Sequence, residues 1–201
     1  MPTSEKISLP YARLSFPKLS KARKYDDDGE ARYEASFLLD PTHKGHAKVI
    51  AQIKEVADRV AKEHWGGKVP KGLKPCFGDD GNGKEYDGYD GMFVLSSAKN
   101  ESDGRVLVVD RDGNPVEVGD EQYPYAGCFV EGTISLWTND HPKGGKRINA
   151  NLRGVRFLKD GEAFSSVTPI NADEEFEDLG DDFSDFEGDD DPLSDDDDPL
   201  A

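Results

Sequence analysis

Sulfur is scarce in this chain: 201 residues hold two Cys and two Met. Cys76 and Cys128 lie far apart and no Cys-x-x-Cys occurs, which excludes a zinc ribbon and argues against a disulfide framework. Two reduced thiols in a cytosolic protein are expected. No apolar run approaches about 18 residues, so no membrane span is expected. The opening MPTSEKISLPYARL lacks the basic-then-apolar layout of a signal peptide. Asn100-Glu101-Ser102 fits a glycosylation sequon, but in a cytosolic protein it reads only as a loop. The most informative absence is positive charge at one end: from Ala172 to Ala201 there is no Lys or Arg.

That gap explains the net charge of −17. The last 30 residues carry 16 Asp and Glu, whereas Met1 to Asn171 carries 26 acids against 25 bases and is nearly neutral. An asymmetry this complete predicts a folded domain over 1–171 and an acidic interaction tail over 172–201. About 170 residues suffice for one domain with a proper core. The tail's large apolar residues, Phe176, Leu179, Phe183, Phe186, Leu193 and Leu200, are too few to offset the entropy of ordering it, so disorder is expected there. Asp-Asp-Pro-Leu occurs twice, at Asp190 to Leu193 and Asp197 to Leu200. The prolines keep the chain extended, and the leucines offer apolar anchors to a partner.

The body reads mostly as strands. Ile7 to Phe16 has β-type content, with Pro10 pointing to an edge or a bulge. Lys18 to Arg32 is polar, contains Asp28-Gly29 and is expected to be a long loop. Arg32 to Asp40 places Tyr33, Ala35, Phe37 and Leu39 on one face. From His43 to His64, Val49, Ile50, Ile53, Val56, Ala57 and Val60 form one apolar stripe, with Thr42 as the expected N-cap and Gly66-Gly67 as the stop. Gly78 to Gly91 reads as a flexible acidic loop. Met92 to Lys99, Arg105 to Asp110, Gly127 to Thr138 and Arg147 to Leu158 are further strands. The count fits a mainly β fold: an OB-type five-stranded antiparallel barrel with one inserted α-helix.

Chemistry-bearing motifs are weak. Asp110, Asp112, Asn114 and Glu121 have the ligand spacing of an EF-hand, but Pro115 sits where the loop needs Gly, and the flanks are strands. His43 and His46 lack the further ligands of a zinc site. There is no Walker loop, Gly-x-Ser-x-Gly or His-Glu-x-x-His, so neither an enzyme nor a cofactor is expected.

Strand faces say more. In Gly127 to Thr138, Cys128, Val130, Gly132, Ile134 and Leu136 share the core side, while Phe129, Glu131, Thr133, Ser135 and Trp137 point outward. A polar outer face with Phe129 and Trp137 on it suits base stacking, with Tyr11 and Tyr33 as additions. In the next strand Ile148, Ala150 and Leu152 face the core, and a bulge at Gly154 shifts Val155 and Phe157 back onto the apolar face. Lys21, Arg23, Lys24, Lys143, Lys146, Arg147, Arg153 and Arg156 supply the cations that a single-strand groove needs.

The order ARLSFPKL, YEASFLLD, a helix, YAGCFVEGTISLW and GVRFLKDGE resembles the bacteriophage family of OB-fold single-stranded-DNA-binding proteins over most of Met1 to Ser166. The acidic end adds to the likeness, although known tails often end in an aromatic residue and this one ends Pro-Leu-Ala. The resemblance implies a non-enzymatic protein of the host cytoplasm that coats single strands during phage replication or recombination. Asp195, Asp196, Asp197, Asp198, Pro199 and Leu200 would then contact replication or recombination proteins. The alternatives are an acidic DNA mimic or basic-protein binder, and a metal-dependent nuclease.

Overall fold

A computed structural model describes residues 3–24, 29–141 and 144–164, without the His141 side chain. The first compact unit is Met1–Ser165; Ser166–Ala201 lies outside the described residues. So do Lys143 and the six tail residues from Asp195 to Leu200.

Among the described residues eight strands and one α-helix follow in order: β1 (Ile7–Arg23), β2 (Arg32–Leu39), α1 (Lys44–His64), β3 (Lys74–Pro75), β4 (Phe77–Gly78), β5 (Phe93–Asn100), β6 (Leu107–Val109), β7 (Phe129–His141) and β8 (Gly145–Lys159). Five of them close a ring in the order β1-β2-β5-β8-β7 and back to β1. Four junctions are antiparallel. The fifth is parallel, where Ala98 of β5 meets Asn151 of β8. This is the OB-type barrel that the strand count predicts.

The interior follows from alternation. Leu9, Leu14, Phe37, Leu39, Phe93, Leu95, Val130, Ile134, Leu136 and Leu152 all point inward and are completely or almost completely buried. Each such side chain contributes about 1.5–3 kcal/mol by leaving water. Gly132 is required by packing: a Cβ there would strike the Phe37 ring. Helix α1 adds Ile50, Ile53, Ala57 and Ala61 to the same core, while Lys48, Gln52, Glu55, Arg59 and Lys62 are exposed as the stripe predicts.

Four local expectations need correction. Strand β1 continues to Arg23, where a loop was expected from Lys18, because its arm still pairs with β2 at Lys18↔Glu34 and Arg23↔Arg32. The helix cap is His43, with no side-chain cap bond; Thr42 instead gives its hydroxyl and its amide to Asp40 Oδ1, at 2.6 and 2.8 Å. The acidic loop is pinned, since Tyr89 is 1% exposed and its hydroxyl donates to Ser15 Oγ at 3.2 Å. Ser135, placed on the outer face by alternation, is buried.

The bulge near Gly154 is present. Thr133 pairs with Gly154 and Ile134 with Leu152, so Arg153 is the extra residue. Strand β1 is irregular against β2 between Lys18 and Arg23, and two bulges lie nearer its start, between Leu9 and Ala12 against β7 and between Ser15 and Lys18 against β2. At each, an aromatic residue takes a positive φ: Tyr11 at 51° and Phe16 at 46°.

Candidate nucleic-acid interface

The two bulges of β1 have a cause in the sequence: Pro10 precedes Tyr11 and Pro17 follows Phe16. Proline cannot donate to a ladder and settles at bulges. A bulky residue at positive φ is an outlier that costs about 1–3 kcal/mol. Here the distortion turns two aromatic side chains outward, leaving Tyr11 53% and Phe16 51% exposed.

Phe16 stands at the edge of a groove of about 430 Å³ across the outer face of β2, β5 and β8. The floor is polar and small: Glu34 and Ser36 from β2, Ser96 and Ala98 from β5, Asn149 from β8. One wall is aromatic. Phe16 meets Tyr86 edge-on at 5.0 Å, Tyr86 is 49% exposed, and the Lys84 ammonium lies 5.8 Å from the Tyr86 ring. The other wall brings Lys74 of β3 beside Arg147 of β8, its register partner. Lys18 lies in the groove too, in a 2.9 Å ion pair with Glu34. Four cations against one carboxylate line the groove. Cys76 also lines it, and burial of its thiol pushes the pKa up to about 12.

Of the residues expected to bind, Arg147 is in this groove. Trp137 is one strand away, partly buried and paired across the ladder with Asn149, a groove residue. Lys21, Arg23 and Lys24 are exposed at the far end of β1, three to six residues beyond Lys18, or about 10–20 Å along the strand. Arg153 is exposed on the β8 bulge.

Other candidates are occupied elsewhere. Tyr33 is 4% exposed. It belongs to the core, because it shares the inward face of β2 with Ala35, Phe37 and Leu39, and it cannot stack a base. Phe129 lies eight residues from Trp137, roughly 25 Å along β7, and the Lys159 ammonium and the Arg13 guanidinium cover its ring at 4.6 and 5.5 Å. Arg156 is ion-paired with Glu131 at 3.3 Å. Lys146 points its ammonium toward the Trp65 ring, 5.9 Å away.

The metal motifs are likewise engaged. Asp110 accepts from the Asn114 backbone and side chain at 2.7 and 3.0 Å, closing a turn. His46 accepts the Asp40 amide at Nδ1 (3.1 Å) and, with the proton then on Nε2, donates to the Pro10 carbonyl at 3.0 Å. It thereby ties the helix start to the first bulge. Among the described residues no group of three or more His, Cys, Asp or Glu could hold a metal, and no helix is long and apolar enough to cross a membrane.

Strand order, and a groove over β2, β5 and β8, the second, third and fifth of the ring strands in chain order, fit the OB class of binding barrels. Within that class the chain belongs to the phage family described as the Enterobacter phage Enc34 ssDNA-binding protein, which matches residues 5–187. A relative from Acyrthosiphon pisum secondary endosymbiont phage 1, named putative protein p50, is 37% identical over 182 residues, covering 87% of this chain and 94% of its own. The single-stranded DNA-binding protein of bacteriophage Enc34, solved in complex with ssDNA, superposes with a TM-score of 0.68 at 28% identity, over 80% of this chain and 89% of that one. The single-stranded DNA binding protein gp2.5 of bacteriophage T7 shares the fold, with a TM-score of 0.53 at 14% identity over 89% and 96% of the two chains. The family and these solved neighbours are named for binding single-stranded DNA.

Proposed function

We propose that the chain binds single-stranded DNA, without sequence preference, in the groove over β2, β5 and β8, and that it coats and protects single strands during phage replication or recombination in the host cytoplasm. One observation carries this reading: two aromatics, Phe16 and Tyr86, are held half-exposed at the lip of a groove lined by Lys18, Lys74, Lys84 and Arg147, in a chain whose family is named for ssDNA binding. Aromatic faces accept any base, at about 1–3 kcal/mol each, and cations track the backbone. Lys21, Arg23 and Lys24 would extend the path along β1. Trp137 and Arg153 would flank it.

The acidic end has two roles in this reading. Sixteen acids on one tether compete with DNA for the basic groove at high local concentration. The segment from Asp195 to Leu200 recruits replication or recombination proteins.

Titration of the full chain and of a variant lacking 172–201 with oligo-dT and with duplex, at two salt concentrations, tests both parts. Binding of oligo-dT by both proteins, tighter after truncation and most so at low salt, is the expected result. A truncated chain that ignores oligo-dT refutes the groove reading and favours the acidic DNA mimic. Cleavage of the oligonucleotides with magnesium or manganese favours the nuclease.

A further inference from the structure

Beyond β8 the chain runs on through Asp160-Gly161 as a strap to Phe164. The Tyr125 hydroxyl holds its start, 3.0 Å from Asp160 Oδ1 and 3.1 Å from the Gly161 amide. Arg13 grips its middle, donating from Nε to Gly127 O at 3.1 Å and from Nη2 to Glu162 O at 2.5 Å. At its end the Phe164 amide donates to Ala126 O at 3.1 Å, and the Arg13 guanidinium lies 4.4 Å from the centre of the Phe164 ring.

The fixed ring has a definite neighbour. Gly88, at φ +76°, has no room for a Cβ because the Phe164 ring lies against it. Phe164 also packs on a small cluster of Leu38, Tyr89 and Val94 that is separate from the main core. Tyr89 in turn meets Tyr86 edge-on at 5.3 Å and Phe16 at 6.4 Å. Contacts therefore run from Phe164 through Gly88 and Tyr89 to both exposed aromatics of the groove. The loop over 79–91 that bears Tyr86 contains four glycines; its ends are tied by Gly81 N to Met92 O at 2.8 Å and by Lys54 to Asp79 at 3.0 Å, and Phe164 backs its middle at Gly88.

We infer that Phe164 is a positioning residue for the aromatic wall of the groove: through Gly88 and Tyr89 it sets where Tyr86 and Phe16 meet a base. This inference rests on the proposed groove. It also makes Phe164 part of the DNA-binding unit and not of the acidic tail.

The test compares full-length chains carrying Phe164→Ala, Arg13→Lys or Tyr86→Ala. The readout is the ratio of affinities for oligo-dT and for an abasic oligonucleotide of equal length, with the salt dependence and the melting temperature recorded in parallel. Abasic DNA keeps the phosphates and removes the bases, so the ratio reports stacking and is insensitive to a merely less stable fold. The expected result is a ratio reduced about fivefold or more by Tyr86→Ala and by Phe164→Ala, with an unchanged salt slope. Arg13→Lys loosens the strap without opening the core. It should move the ratio the same way by about twofold, and it carries the test if Phe164→Ala does not fold. A lowered ratio in Tyr86→Ala with the wild-type ratio in the strap variants overturns the inference. A wild-type ratio in Tyr86→Ala overturns the groove reading itself.

Discussion

The outer face over β2, β5 and β8 and the outer face of β7 both carry aromatics, yet they treat them differently. On β7, Phe129 also sits beside a register shift, yet its φ is not positive and its ring is covered by Lys159 and Arg13. At the groove, Phe16 is forced out of alternation by a bulge at positive φ and remains half-exposed. Outward direction alone therefore does not mark a stacking residue. An aromatic that the backbone holds half in water at a steric cost is the stronger sign when it also lines a groove, as Phe16 does and Tyr11, exposed at the other bulge, does not.

Removing the rings of both faces should separate them most widely. Phe16→Ala with Tyr86→Ala should weaken oligo-dT binding by about 2–6 kcal/mol, two stacked bases' worth, measured by fluorescence anisotropy at fixed salt. Phe129→Ala should leave that affinity within about twofold and instead lower the melting temperature, since the covering cations lose their partner.

Charges offer the next contrast. Lys74→Ala and Arg147→Ala should each flatten the log–log salt dependence by about 0.7. Arg156→Ala, whose cation is already held by Glu131, should leave the slope unchanged. Smaller still is the optical signal: Trp137, one strand from the groove, should quench on oligo-dT addition and recover with salt, whereas Trp65 should not respond. Trp65→Phe and Trp137→Phe variants assign the change.

The last contrast is in pH. Burial raises the thiols of Cys76 and Cys128 from 9.0 to about 12 and about 11. Between those values the folded chain keeps protons that the unfolded chain releases. The resulting stability is fully present below pH 9 and is lost as pH climbs toward 11–12. Urea midpoints across that range should fall less in a Cys76→Ala, Cys128→Ala double variant.

Alternation made the barrel legible. The inward sets of β2, β7 and β8 follow from period two, and the helix stripe from period 3.6. The reach of β1 was hidden because its distal arm, Lys18 to Arg23, is largely polar on both faces and pairs with a single neighbour, β2. The candidate site was legible mainly as cations, of which Arg147 lines the groove. Phe16 was missed, although Pro17 beside it carries the same bulge signal that Pro10 gives to Tyr11. Tyr86 was missed for a different reason. Its loop reads as acidic and glycine-rich, and the burial of Tyr89 and the contact of Tyr86 with Phe16, which place it at the groove, are tertiary features that no local pattern signals. Tyr33 was misplaced although its own strand pattern assigns it to the core.

Ultraviolet crosslinking of the full chain to oligo-dT, with adducts mapped by mass spectrometry, tests the location of the DNA directly. The account predicts adducts on Phe16 and Tyr86, with Phe129 unmodified. Adducts on Phe129 with none on Phe16 or Tyr86 would contradict it.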